Sequence, residues 1–189
     1  CTWNDITDQK IDARVARTKS RPIPSGQITP KQALKWMLIQ TLAGALVLFT
    51  FNKFTIVLGI FALVPVAIYP FAKRFTWWPQ LFLGVAFNWG ALIGWSAQIG
   101  SLSLSPILLY LAGISWTLFY DTIYAHQDKE DDALIGVRST ARLFHSNTKK
   151  WLWCFLILSI SLMIGAFVVA LQNNVNVFYF MIGISGILA

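Results

Sequence analysis

Residues 151–171 read WLWCFLILSISLMIGAFVVAL, twenty-one positions without a charge. A helix rises 1.5 Å per residue, so this run is about 30 Å long, the thickness of a bilayer's hydrocarbon core. Four more apolar runs precede it, at Trp36–Phe51, Phe54–Pro70, Pro79–Ala97 and Pro106–Tyr124, and a shorter one, Val177–Ala189, follows. Consecutive runs of this kind without polar faces do not belong in a water-soluble fold. Only helices and closed barrels satisfy their backbone in lipid, and the alternation of barrel strands is missing. The sequence therefore predicts an all-α, multi-pass transmembrane helical bundle of about five full spans and one truncated span. The opening at Cys1 and the short last run predict a single membrane-embedded domain over residues 1–189, incomplete at both ends.

Composition agrees. Of 189 residues, 56% are hydrophobic and only 12% charged, where a soluble domain carries about 25% charged residues. Cys1 and Cys154 are too few for a disulfide framework or a four-cysteine zinc site. Counting span by span puts residues 1–35, 71–78 and 125–150 on one side of the membrane. That side holds 14 of the 15 basic residues, leaving Lys53 alone on the other. The positive-inside rule makes the basic side the cytoplasm of a bacterium, or the matrix side of a mitochondrial inner membrane. No nucleic-acid-binding motif interleaves these charges, so no nucleic acid is expected as a partner.

All eight acidic residues fall in two clusters at the basic side, with Asp121 just inside a span end. The first is Asn4-Asp5-x-x-Asp8-x-x-x-Asp12, and the second runs from Asp121 through Tyr124 to Asp128-Lys129-Glu130-Asp131-Asp132. On a continuous helix Asp5, Asp8 and Asp12 fall within about 60°, and Asp121, Asp128 and Asp132 within about 40°. The i,i+4 pairs Asn4/Asp8, Asp8/Asp12 and Asp128/Asp132 set oxygens side by side. Mg²⁺ takes one or two carboxylates and completes its octahedron with water and phosphate oxygens. Arg17, Lys19 and Arg21 follow the first cluster, Lys73 and Arg74 sit on the middle loop, and Arg138 follows the second. Carboxylate-held Mg²⁺ beside such cations is a clamp for a diphosphate. At the mouth of an apolar bundle, the rest of that ligand should be greasy. An allylic polyprenyl diphosphate fits both halves, with the bundle shielding its carbocation from water. Asn88, polar in mid-span, lines a pocket or bonds between helices. His126 is a candidate base or a structural histidine.

Three strings carry a resemblance: CTWNDITDQKIDARVARTKSRPIPSG at residues 1–26, WWPQLFLGVAFNWGALIGW at 77–95 and YDTIYAHQDKEDDALIGVRSTA at 120–141. They resemble the UbiA superfamily of intramembrane aromatic prenyltransferases, and within it the branch that prenylates 4-hydroxybenzoate in ubiquinone synthesis. The resemblance implies that Asn4, Asp8, Asp128 and Asp132 hold the metal–diphosphate, supported by Asp5, Asp12 and Asp121. It implies that Tyr69-x-x-x-Lys73 is the family's Tyr/Lys motif, with Lys73 near the diphosphate. Arg17, Lys19 and Arg21 would meet phosphate or the aromatic carboxylate, and Tyr124, Lys129, Arg138 and Asn88 complete the candidate substrate contacts. Asp121 would be either a supporting group or the base. The family has nine helices, of which this chain would hold the third to the eighth. Another aromatic acceptor, or a non-enzymatic membrane cation transporter, is the alternative. A transporter's acids usually sit at mid-membrane, whereas here only Asp121 lies within a span.

Overall fold

The computed structural model describes residues 2–172, and among them every regular element is helical. The truncated run Val177–Ala189 lies outside the described residues. The first acidic cluster forms α1 (Thr2–Asp12). Turns then carry the chain to α2 (Pro30–Leu48), which opens on a capping box, with the Gln32 N–H donating to Thr29 Oγ1 and Thr29 N–H to Gln32 Oε1.

The second apolar run divides into α3 (Lys53–Phe61) and α4 (Leu63–Phe75). Pro65 explains the joint, because it lacks an N–H and its ring crowds the carbonyl four residues earlier. The third run also divides, into α5 (Pro79–Phe87) and α6 (Gly90–Ile99). Asn88 ends α5 by donating both its N–H and its side-chain Nδ2 to the Gly84 carbonyl, the local competition that makes Asn a poor residue inside a helix. The fourth run is one helix, α7 (Leu104–Tyr124). The short α8 (Lys129–Ile135) and α9 (Thr140–Phe144) lead to α10 (Thr148–Gln172).

About five full spans and one truncated span were expected, and the described residues contain three stretches long and apolar enough to cross a membrane: Lys53–Phe75, Leu104–Tyr124 and Thr140–Leu171. The Asn88 break shortens the third run to two half-helices. Lys31, Gln32 and Lys35 dilute the apolar character of α2. Large apolar side chains nevertheless face outward on every long helix, Leu46 being 73% and Phe87 70% exposed, a surface suited to lipid and not to water.

The core sits between α5, α7 and α10. Ile114, Leu118, Phe144 and Phe155 are buried there, packed by Trp78, Val85, Tyr110 and Phe119. Small residues let the backbones approach, as lipid-embedded helices require. Ala112, Ala166 and Ala170 are buried, and hydroxyls cross the gap from Ser105 to the Ala166 carbonyl (2.8 Å) and from Ser159 to the Ala112 carbonyl (2.9 Å). At one end, Asn52 caps α3 and donates to the Ser96 carbonyl at the close of α6. At the opposite end the basic loops gather.

Asn88 Nδ2 also donates to Thr117 Oγ1 at 2.8 Å, and a Cβ on Gly113 would lie 2.3 Å from Asn88 Oδ1. Gly113→Ala should therefore push Asn88 off both bonds and destabilise the bundle by about 1–3 kcal/mol, as overpacking does. Gly44→Ala on α2, with nothing within 4 Å of the new carbon, should leave stability unchanged or raised. Thermal unfolding in detergent compares the two.

Candidate functional site: a cavity between two acidic segments

Each acidic segment reaches the basic end of the bundle by a local device. The first lies on α1, which leans on α4: Trp3 Nε1 donates to the Ala67 carbonyl, and the Trp3 ring meets Phe71 edge-on. The second begins on the last turn of α7 and leaves it. The helix stops at Tyr124, residues 125–128 turn, and Asp128 stands at the start of α8. The expected continuous helical face of Asp121, Asp128 and Asp132 is therefore broken. Only Asp128 and Asp132 keep the i,i+4 relation, through the Asp132 N–H to the Asp128 carbonyl at 2.8 Å. Gly136, at φ +78°, ends α8 in a conformation that glycine alone adopts freely. The next residues then bind the open end of α4, with the Arg138 N–H donating to the Lys73 carbonyl and its guanidinium to the Phe75 carbonyl.

A cavity of about 190 Å³ opens between these elements. Asn4, Asp12, Arg17 and Arg21 come to it from α1 and the following turns. Tyr69 and Lys73 come from α4, Asp121 and Tyr124 from α7, and Asp128, Asp132 and Arg138 from the second segment. Residues far apart in sequence thus share one chamber. Asp5, Asp8, Lys19, Lys129 and Asn88 do not line it. Lys19 is exposed, Lys129 half-buried, and Asn88 is spent on the helix contact described above. His126 Nδ1 lies 2.7 Å from the Thr122 carbonyl, a structural role at the end of α7.

The carboxylates are not left unpaired. Arg17 grips Asp128 through Nε at 2.8 Å and a terminal nitrogen at 2.5 Å, and its other nitrogen donates to the Tyr124 hydroxyl at 3.0 Å. Arg21 bridges Asp5 and Asp12, each at 3.2 Å. Asp8, wholly buried, pairs with Lys73 at 2.6 Å and Arg74 at 3.4 Å. The Lys73 contact is close but poorly directed, so Asp8 Oδ2 has ionic company and no hydrogen-bond partner. Although it lies near a span end, Asp8 is thus part of the packing between α1 and α4. Among the described residues no ion pair reaches Asp121 or Asp132.

Protonation follows these environments. The Arg17 hydrogen bonds hold Asp128 below the usual carboxylate range and raise Arg17 itself. Burial raises Asp12 against the pull of Arg21. Burial, then the Asp128 charge, push Asp132 up to about 6.

Among the described residues no group of three or more His, Cys, Asp or Glu side chains converges to cage a metal. Mg²⁺ does not need such a cage, because substrate phosphate and water supply most of its ligands. The adjacent Asp128 and Asp132 carboxylates and the Asn4 amide all line the cavity and supply oxygens of the required kind, so the donor set suits it.

Sequence reasoning missed Gln80, which lines the cavity and accepts the Thr140 N–H at 3.1 Å. A polar residue one position inside an apolar run was the available signal. It also missed Arg142, which donates to the Asp132 and Val137 carbonyls and shapes the second segment.

Two predictions concern stability. Asp8→Asn leaves Lys73 and Arg74 without their counter-charge and should cost about 1–3 kcal/mol. That is less than a fully buried pair, because both cations reach water. Asp132 behaves oppositely. Its folded pKa exceeds the unfolded value, so a penalty grows as pH rises from 3.8 to about 6 and is complete above that. Asp132→Asn should stabilise the protein at pH 7 by up to about 1 kcal/mol, after allowance for solvent screening. It should also flatten the pH dependence between those values, as melting curves across pH would record.

Comparison with known proteins places this arrangement. The chain is 55% identical over 156 residues to the mitochondrial 4-hydroxybenzoate polyprenyltransferase of Arabidopsis thaliana, covering 82% of this chain and 38% of that protein. With the protein of the same name from Dictyostelium discoideum the identity is 50% over 183 residues, covering 96% and 39%. The mouse protein of that name is 48% identical over 175 residues, covering 92% and 46%. The chain thus spans about two fifths of the length of these relatives. The apo structure of a UbiA homolog from Aeropyrum pernix K1 superposes with a TM-score of 0.65 at 26% identity, over 91% of this chain and 64% of that one. The UbiA prenyltransferase family profile matches residues 1–189, and with a cavity walled by both acidic segments, this membrane chain belongs to the UbiA prenyltransferase family.

Proposed function

We propose that the protein transfers a polyprenyl group from polyprenyl diphosphate to the ring carbon ortho to the hydroxyl of 4-hydroxybenzoate, in ubiquinone biosynthesis. One observation carries the reading: acids from two distant segments and the cations Arg17, Arg21, Lys73 and Arg138 line one chamber at the end of an apolar bundle. The names of the relatives support the acceptor and the polyprenyl group transferred. The chamber's size supports a division of labour. Sites that bury drug-sized ligands run to about 300–1,000 Å³, so this one suits a diphosphate head and not a polyprenyl tail. The relatives are named mitochondrial, and on that footing the basic, site-bearing end faces the matrix. In a bacterium it would face the cytoplasm.

Asp128 and Asp132, with Asn4 from α1, would hold Mg²⁺; Asp8, buried behind the cavity, would position Lys73, and Asp5 and Asp12 would support the site through Arg21. Mg²⁺ supplies Lewis-acid stabilisation of a leaving diphosphate. Lys73 and Arg138 would neutralise phosphate oxygens as the C1–O bond breaks and the electron pair leaves with the diphosphate. Tyr69, which lines the cavity, would offer its ring to the allylic cation, a contact contributing about 0.5–2 kcal/mol, whereas the Tyr124 ring lies beneath the Arg17 guanidinium. The ring carbon beside the phenol then bonds to C1 and gives up its proton. Asp121, which lines the cavity and is in none of the ion pairs among the described residues, would take it.

A cation transporter would use the same acids without chemistry. The concentration of acids at one end, among the cations Arg17, Arg21, Lys73 and Arg138, favours the transferase. The test is product formation by membranes containing the protein, supplied with allylic polyprenyl diphosphate, 4-hydroxybenzoate and Mg²⁺. A new carbon–carbon bond ortho to the hydroxyl is expected, with no reaction from the saturated diphosphate or after chelation. Asp128→Ala should lower turnover by about 10²–10³-fold or more. A product bonded through oxygen, equal reaction of the saturated substrate, or full activity in Asp128→Ala would contradict the reading.

A further inference from the structure

Arg17 is placed unlike the other cations of the site. It spans the cavity, leaving the turns after α1 to reach a residue 111 positions later. Its fork covers both oxygens of Asp128, using the side-on geometry a carboxylate would otherwise offer a metal. The Tyr124 hydroxyl steadies the third nitrogen, and the neighbouring Ala16 N–H binds Asp131 Oδ2 at 3.3 Å, so residues 16–17 form a strap across the second segment. Asp132, one helical turn from Asp128, is in no ion pair among the described residues. One carboxylate of the adjacent pair is locked and the other stands open.

We propose that Arg17 is a positioning residue that occupies Asp128 in place of the metal until a diphosphate arrives, so that Mg²⁺ and diphosphate enter together. The inference rests on the diphosphate-site reading above. Mg²⁺ alone must break the fork and strand a guanidinium beside a second positive charge. A diphosphate offers that guanidinium a new bidentate acceptor, freeing Asp128 for the metal. Binding is then positively coupled, and by linkage each ligand tightens the other by the same factor.

The test titrates the detergent-solubilised protein with Mg²⁺ alone, pyrophosphate alone and both, by calorimetry. In the wild type each ligand should tighten the other about tenfold or more. Arg17→Lys is the decisive variant, because it keeps the charge and loses the fork. Mg²⁺ alone should bind it about tenfold more tightly, with the pyrophosphate coupling reduced to match. Tyr124→Phe should move both quantities the same way by less, which keeps the test alive if Arg17→Lys does not fold. A purely structural role for Arg17 would weaken Mg²⁺ binding, and a simple charge effect would leave Arg17→Lys unchanged. Either result overturns the proposal. If instead Asp128→Ala binds Mg²⁺ and pyrophosphate as the wild type does, the diphosphate-site reading itself falls, and this inference with it.

Discussion

The structure depends on charge neutralisation at one end of an apolar bundle. A carboxylate withdrawn from water is tolerable only when a cation or a set of hydrogen bonds replaces its hydration. Asp8 is wholly buried and meets Lys73 and Arg74; Asp5 and Asp12 share Arg21; Asp128 takes the fork of Arg17. These pairs do more than balance charge. They dock α1 on α4 and tie the turns after α1 to the segment before α8, so the cavity's walls are held by the same groups that would bind its ligand. Asp132 and Asp121 stand outside the network of described pairs, and at such places a site keeps the capacity to bind something else.

Much of this was legible in the sequence. The apolar runs are long, and a helix in lipid has no alternative way to satisfy its backbone. The confinement of the acids to one side followed from counting spans, and the cavity draws on both clusters. Other features could not be read. The break at Asn88 depends on Gly113 leaving room for its amide and Thr117 offering an acceptor, a tertiary bargain between two runs. The turn after Tyr124 removed Asp121 from the helical face it was expected to share, because periodicity presumes a continuous helix. The burial of Asp8 was invisible for a related reason: a carboxylate at a span end looks exposed until α4 brings Lys73 and Arg74 to it.

The division between head and tail has a structural logic. The polar chamber is small and lined by paired charges, while the apolar surface around it is extensive and turned outward. A substrate with a dianionic or trianionic head and a hydrocarbon tail meets both surfaces at once. Its head would be drawn by the cations, and its tail would remain in the medium it already occupies. The relatives of this chain are more than twice its length.

The central claim is that two acidic segments, distant in sequence, act on one diphosphate. A crystal or cryo-EM structure of the protein with Mg²⁺ and an unreactive polyprenyl thiodiphosphate tests it most directly. The account predicts the diphosphate inside the cavity, with metal-mediated contacts to Asp128 and Asp132 on one wall and to α1 on the other, and Lys73 within bonding distance of a phosphate oxygen. A diphosphate held by one segment alone, or bound outside the cavity, would contradict it.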